Sequence, residues 1–281
     1  MSTRLAQIEG VLLVCGVLCY LAATVLLWGA TFFGADDRSS RVRLRHEVAR
    51  RAGLGVLATG VLFHGVSLLG QGAVLFQHST GVAGLFGWML SLACLIFARL
   101  ERGVPATFVT PVALLATLYS LADPPLHRAI QPRVLEQQWL AFHVVVWLIG
   151  YAALSFAFAS SLIYLWQETL LKRKKLSGLW GRLPALQVAD EMIFRTTSFG
   201  LVMLTVGLAT AFFSTRWHPN YLPLADPKVL ISIATWLVFV AYVGARQILG
   251  WRGRRTNMVV VYGFVLLAIS FFGVPHLVGG R

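Results

Sequence analysis

The chain has 281 residues, 57% of them apolar and only 12% charged, with a mean hydropathy of +0.73. A soluble domain carries roughly 25% charged residues, so a soluble enzyme is excluded and most of the chain is expected in lipid. The net charge of +13 would suit nucleic acid, but 18 of the 24 Lys and Arg residues lie in alternate links between apolar runs. That pattern is a topology signal that also meets anionic lipid headgroups, and no nucleic-acid partner is expected.

A helix needs about 20 apolar residues to cross a bilayer. Runs of that kind cover Ile8–Phe33, Ala52–Phe76, Val82–Ala98 and Ala106–Ala122, then Trp139–Trp166, Thr196–Ser214, Val229–Ile248 and Met258–Val274. The expected fold is an all-α integral membrane bundle of about eight transmembrane helices. The third and fourth runs are short enough that one could be re-entrant. The first follows a single basic residue, Arg4, and is too long for a signal-peptide core, so it is expected to remain as a span.

The basic links hold Arg38 to Arg51, then Arg99 and Arg102, Lys172 to Arg195, and Arg246 to Arg255. By the positive-inside rule both termini face the outer, periplasmic side of a bacterial inner (plasma) membrane. The links are too short to fold alone, so residues 1–281 read as one membrane domain. Lys172–Arg195 mixes charge with Leu176, Leu179, Trp180, Leu183 and Leu186 and is expected to lie on the cytoplasmic surface, linking two halves. The fifth run carries Gly150, Ala152, Ala153, Ser155, Ala157, Ala159 and Ser160, small residues that allow close helix packing.

Cys15, Cys19 and Cys94 form neither a CxxC pair nor a haem-attachment CxxCH and read as small buried hydrophobes. No P-loop, GxSxG or HExxH pattern occurs in a usable context, and no intramembrane carboxylate pair suggests a pump. No catalytic residue is named by these patterns. A transporter rests on helix count alone, and broken-helix Gly/Pro pairs in corresponding halves are missing.

The seven histidines carry the most information, because an ionisable side chain in hydrocarbon is costly and marks function by default. His46 sits in a basic link and reads as solvated. His64 falls near mid-membrane, His143 about a turn inside the fifth run, His78, His127 and His218 in outer links, and His276 at the outer end of the last run. Neutral imidazoles at His64 and His143 suit haem iron, and equally suit a hydrogen bond to a neighbouring helix. The outer link carrying Arg216, Trp217, His218, Tyr221, Asp226 and Lys228 could meet an anionic or aromatic ligand, or anchor the chain at headgroup depth.

Several ordered motifs resemble a known family. His143-Val144 with Gly150-Tyr151-Ala152-Ala153 comes first, then Leu183-Pro184-Ala185-Leu186, Phe194-Arg195 and Gly200 to Gly207. Asp226-Pro227-Lys228, Thr235-Trp236-Leu237-Val238, Gly250-Trp251-Arg252-Gly253-Arg254-Arg255 and Gly263-Phe264 follow. His64 with Gly72 completes the set. In this order they resemble the cytochrome c assembly family that includes CcsA, from about Ala52 to Pro275 and most clearly over Trp139–Gly273.

The resemblance implies a haem-handling inner-membrane protein of cytochrome c biogenesis. It implies His64 and His143 as axial ligands of a haem b, with His276, His218, Asp226 and Trp217 as weaker cofactor contacts and no metal beyond the haem iron. It also implies a CcsB-like partner and apocytochrome c, with any enzyme activity belonging to the assembly and not to this chain alone. The family's outer tryptophans are absent from Pro219–Asp226, and Gly244 stands where a seventh-span histidine is expected. Those departures and the chain length resemble the shorter HemX-like or YpjD-like branch. Its implication is a regulator or scaffold for a haem-biosynthesis enzyme such as glutamyl-tRNA reductase, binding no haem itself.

Overall fold

The computed structural model describes residues 2–32, 40–100, 104–122, 134–174, 185–213 and 227–273. Among them the fold is all helical: α1 (Ser2–Phe32), α2 (Ser40–Gln71), α3 (Ser79–Leu100), α4 (Val104–Ser120), α5 (Val134–Lys172), α6 (Leu186–Phe213), α7 (Pro227–Ile248) and α8 (Arg254–Gly273). Seven are long and apolar enough to cross a membrane, and Ala106–Ser120 of α4 is a shorter apolar helix. The chain is therefore a multi-pass membrane protein, and the short fourth run is the one that departs from full spanning length.

Three of the expected boundaries move. Residues 40–51 are read from sequence as a basic link, yet they are the start of α2, whose 32 residues extend about 48 Å at 1.5 Å per residue. That exceeds a hydrocarbon core of about 30 Å, so Arg45, Arg50 and Arg51 ride on a helix that continues beyond it. Glu47 ties down the last two, with Arg51 Nε at 2.9 Å and Arg50 Nε at 3.4 Å. Likewise the ends of the Lys172–Arg195 surface segment are helical, with Lys172 closing α5 and α6 beginning at Leu186. Residues 175–184 lie outside the described part. The cause is common to all three: hydropathy detects where lipid contact ends, whereas backbone hydrogen bonding continues into the interface.

By packing density the chain divides into two compact units, one holding α1–α4 and the other holding α5 from Gln138 through α8. In the first, α1 and α2 approach closely at glycines. A Cβ on Gly60 would lie 2.8 Å from the Tyr20 ring, and one on Gly16 would lie 3.2 Å from His64 Cβ. After Gln71 the helix breaks at Gly72, whose φ of +55° costs little without a side chain. A 3-10 turn over Gly72–Gln77 follows, and the first turn of α3 packs onto it at Gly81, where a Cβ would overlap the Leu75 backbone.

Pro111 lies inside α4 and cannot donate to the carbonyl of Thr107, four residues back. That oxygen is met by Trp28 Nε1 of α1 at 2.9 Å and by Thr110 Oγ1 at 2.8 Å. Trp28→Phe removes one of the two donors while keeping most of the ring packing against Phe32 and Phe108. The expected cost is about 1 kcal/mol, read as a lower denaturation midpoint in detergent.

In the second unit the small residues of α5 do pack closely. Gly150, Ala152, Ser155, Ala157, Ala159 and Ser160 are all buried. A Cβ on Gly150 would sit 3.0 Å from Met203 Cβ, and on α6 a Cβ at Gly200 would sit 2.7 Å from Leu154. Helix α8 meets α5 through the stacked rings of Phe158 and Phe264, 4.4 Å apart, and through Tyr151 against Phe271. It meets α7 where Phe239 covers Gly263.

Candidate functional site

In the first unit His64 is fully buried where α2 meets its three neighbours. Gly16 and Tyr20 of α1 lie against it, and a Cβ on Gly84 of α3 would fall 3.6 Å from its Nε2 and 3.2 Å from Ser120 Cβ of α4. The Tyr20 hydroxyl is 3.3 Å from Nδ1, with the two rings edge to face at 5.8 Å. Ser91 Oγ of α3 donates to Gly87 O in its own helix at 2.8 Å. Nε2 of His64 is buried with no hydrogen-bond partner among the described residues. A buried polar atom left without a partner is uncommon and asks for an explanation, such as a ligand.

In the second unit His143 is half-buried on α5, with Nδ1 2.7 Å from Thr210 Oγ1 of α6. Thr210 in turn donates to Gly207 O at 2.7 Å. Along the same helix His143 begins an aromatic series: its ring meets Trp147 edge to face at 6.2 Å, Trp147 meets Tyr151 at 5.5 Å, and Tyr151 meets Phe271. Gly207 gives Trp147 its place, since a Cβ there would lie 2.7 Å from the indole.

The two histidines that the sequence ranks first thus occupy different units, each joined to a hydroxyl. His218, Asp226, Trp217, His276 and His127 lie outside the described residues. His78 is half-buried at the end of the 3-10 turn. The three cysteines are free thiols, Cys94 buried and the other two half-buried, in keeping with packing roles. No group of three or more His, Cys, Asp and Glu that could hold a metal ion occurs among the described residues.

Sequence reading missed two features. Arg246 was grouped with the loop residues, but it is buried on α7 and paired with buried Asp190 of α6 at 2.7 Å. It also donates to Asp190 O at 3.2 Å and stands 4.8 Å from the Phe194 ring. The hydroxyl partners of the histidines, Tyr20 and Thr210, were also unforeseen. Thr210 is 67 residues from His143, so no local motif links them.

The family model for "Cytochrome C assembly protein" matches residues 77–280. Among curated relatives, a "Cytochrome c biogenesis protein CcsA" from Parasynechococcus marenigrum (strain WH8102) is 32% identical over 218 residues, which cover 67% of this chain and 71% of the relative. Another protein of that name, from Prochlorococcus marinus (strain MIT 9303), is 29% identical over 221 residues, 68% of this chain and 69% of the relative. These relatives lend no support to the HemX-like branch that length suggested. Among solved structures, "Cytochrome c Heme Lyase CcmF" matches with a TM-score of 0.64 at 15% identity, covering 98% of this chain and 48% of that one. The chain therefore spans about half of that protein, and the likeness shows the fold. With most of its length matched by the family model, this chain belongs to the cytochrome c assembly family.

Proposed function

We propose that this chain binds haem within the membrane through His64 and His143 and takes part in delivering it for cytochrome c assembly. The observation that carries the reading is the His64 imidazole, buried at a junction of four helices with Nε2 lacking any partner among the described residues. A neutral imidazole nitrogen is the donor that haem iron takes as an axial ligand, so the residue present fits the group. At His143 the Trp147 and Tyr151 rings supply the apolar, aromatic surface that suits a porphyrin face. The names of the relatives, a cytochrome c biogenesis protein and a haem lyase, support the same pathway.

Haem, when bound, supplies the iron and its redox change. The chain supplies the imidazoles, their orientation and exclusion of water. In this reading the haem is haem b, the membrane is a bacterial inner membrane with both termini outside, and a CcsB-like partner and apocytochrome c complete the assembly. Attachment of haem to the apocytochrome belongs to that assembly.

The test is a reduced-minus-oxidised absorption spectrum of the purified full chain from haem-replete cells, beside His64→Ala and His143→Ala. A stoichiometric haem spectrum is expected in the native protein and at most a small fraction of it in either variant. Native protein without haem would instead favour the scaffold for glutamyl-tRNA reductase, and haem retained in both variants would place the ligands elsewhere.

A further inference from the structure

At the end of the second unit where α7 turns into α8, the interior is polar. Asn257 of α8 and Ser161 of α5 are fully buried. Asn257 Nδ2, Asn257 Oδ1 and Ser161 Oγ have no hydrogen-bond partner among the described residues. Buried Asp190 of α6 is in the same condition at Oδ1, although its other oxygen meets Arg246 at 2.7 Å. An asparagine amide carries two N–H donors and an acceptor oxygen, and burying all of them without a partner is costly in an apolar surrounding.

The helix register brings these groups together. The Phe158 and Phe264 rings of α5 and α8 stack at 4.4 Å, and about 15 Å further along both helices Arg254 meets Glu168 at 3.6 Å. Ser161 and Asn257 lie between those two contacts, one turn from Phe158 and two turns from Phe264, which sets them about 6 Å apart along the axis. On α7, Arg246 lies two turns beyond Phe239, whose ring covers Gly263 of α8. The Arg246–Asp190 pair therefore stands at the depth of Asn257.

The charges at this end are already matched, Arg246 with Asp190 and Arg254 with Glu168, so an ion would bring charge with no counterpart. The open groups call for a neutral guest that both gives and accepts hydrogen bonds, since Asn257 Nδ2 requires an acceptor and Asp190 Oδ1 a donor. Water does both, and a buried water makes about three such bonds.

We propose that bound water bridges Asn257, Ser161 and Asp190 in a hydrated chamber at this end of the second unit, closed toward the His143 end by Phe158, Phe239 and Phe264. His143 and Ser161 are 18 residues apart on α5, about 27 Å. The chamber is thus a site apart from the haem-ligand reading, and neither depends on the other.

The chain has two asparagines, Asn220 and Asn257. Labelling the full chain in lipid nanodiscs with ¹⁵N-asparagine therefore gives two side-chain amides, which Asn220→Ser tells apart. With ¹⁵N-phenylalanine added, the Phe264 backbone amide, assigned with Phe264→Leu, serves as the dry reference. Magnetisation transfer from water is expected at the Asn257 amide at mixing times that leave Phe264 dark.

A second measurement is the thermal midpoint of Asn257→Leu, a substitution close in volume. With the chamber hydrated, leucine displaces the water and leaves Asp190 Oδ1 and Ser161 Oγ without it, so the midpoint is expected to fall by about 2–4 °C, the worth of one hydrogen bond. In a dry interior the same change would remove an unsatisfied amide and raise the midpoint. An Asn257 amide that stays dark to water, or an Asn257→Leu midpoint that holds or rises, would overturn the proposal.

Discussion

Asp190→Ala is expected to lower the unfolding free energy by about 3–5 kcal/mol, the cost of leaving one member of a buried ion pair uncompensated. Arg246 Nη1 lies 2.7 Å from Asp190 Oδ2, with both side chains almost wholly out of solvent. The nearest other carboxylate, Glu191, is 3.8 Å from Nη2 and about half-exposed, so it replaces little of the loss. Because desolvation offsets most of the attraction within an intact pair, Asp190→Leu combined with Arg246→Met should recover a large part of the stability. Denaturation of the native protein, Asp190→Ala and the double variant in mixed detergent would measure this. A single substitution costing less than about 1 kcal/mol would mean that water reaches the pair freely.

Gly60→Val is expected to have a comparably large effect and to carry it to the candidate site. A Cβ at Gly60 would lie 2.8 Å from the Tyr20 ring and 2.9 Å from Cys19 Cβ, and Cys19 Cβ is backbone-proximal and cannot swing away. Overpacking of this kind typically costs about 1–3 kcal/mol. The relief available is displacement of Tyr20, which would break its contact with His64, one turn along α2. Gly60→Ala, with one carbon in place of three, should be milder in the same direction. The expected result is a destabilised protein that binds less haem per chain than native. Full haem content in Gly60→Val would separate α1–α2 packing from the His64 site.

The histidines were legible in the sequence because they are rare ionisable groups inside apolar runs, where burial has a high cost. Their hydroxyl partners were not. Tyr20 and Thr210 are ordinary intramembrane residues, and threonine in a helix usually bonds to its own backbone, as Thr210 also does here. Only the interaction with a residue on another helix makes them part of a site. Arg246 was misplaced for a related reason. An arginine two residues before the end of α7 has the look of an interfacial charge, and only Asp190, 56 residues earlier in the chain, makes its burial tolerable.

What the sequence determined by itself is the helical membrane architecture and the family. The first follows from composition along the chain, since a bilayer requires apolar helices, and the second from ordered motifs; the penalty on buried ionisable groups singled out His64 and His143 as candidates. Tertiary structure decided how far α2, α5 and α6 run beyond the expected spans, which hydroxyl each imidazole meets and which acid neutralises Arg246. Those outcomes depend on which faces of distant helices come together, and that is settled by close packing at residues such as Gly16, Gly60 and Gly200, where missing side chains let the backbones approach.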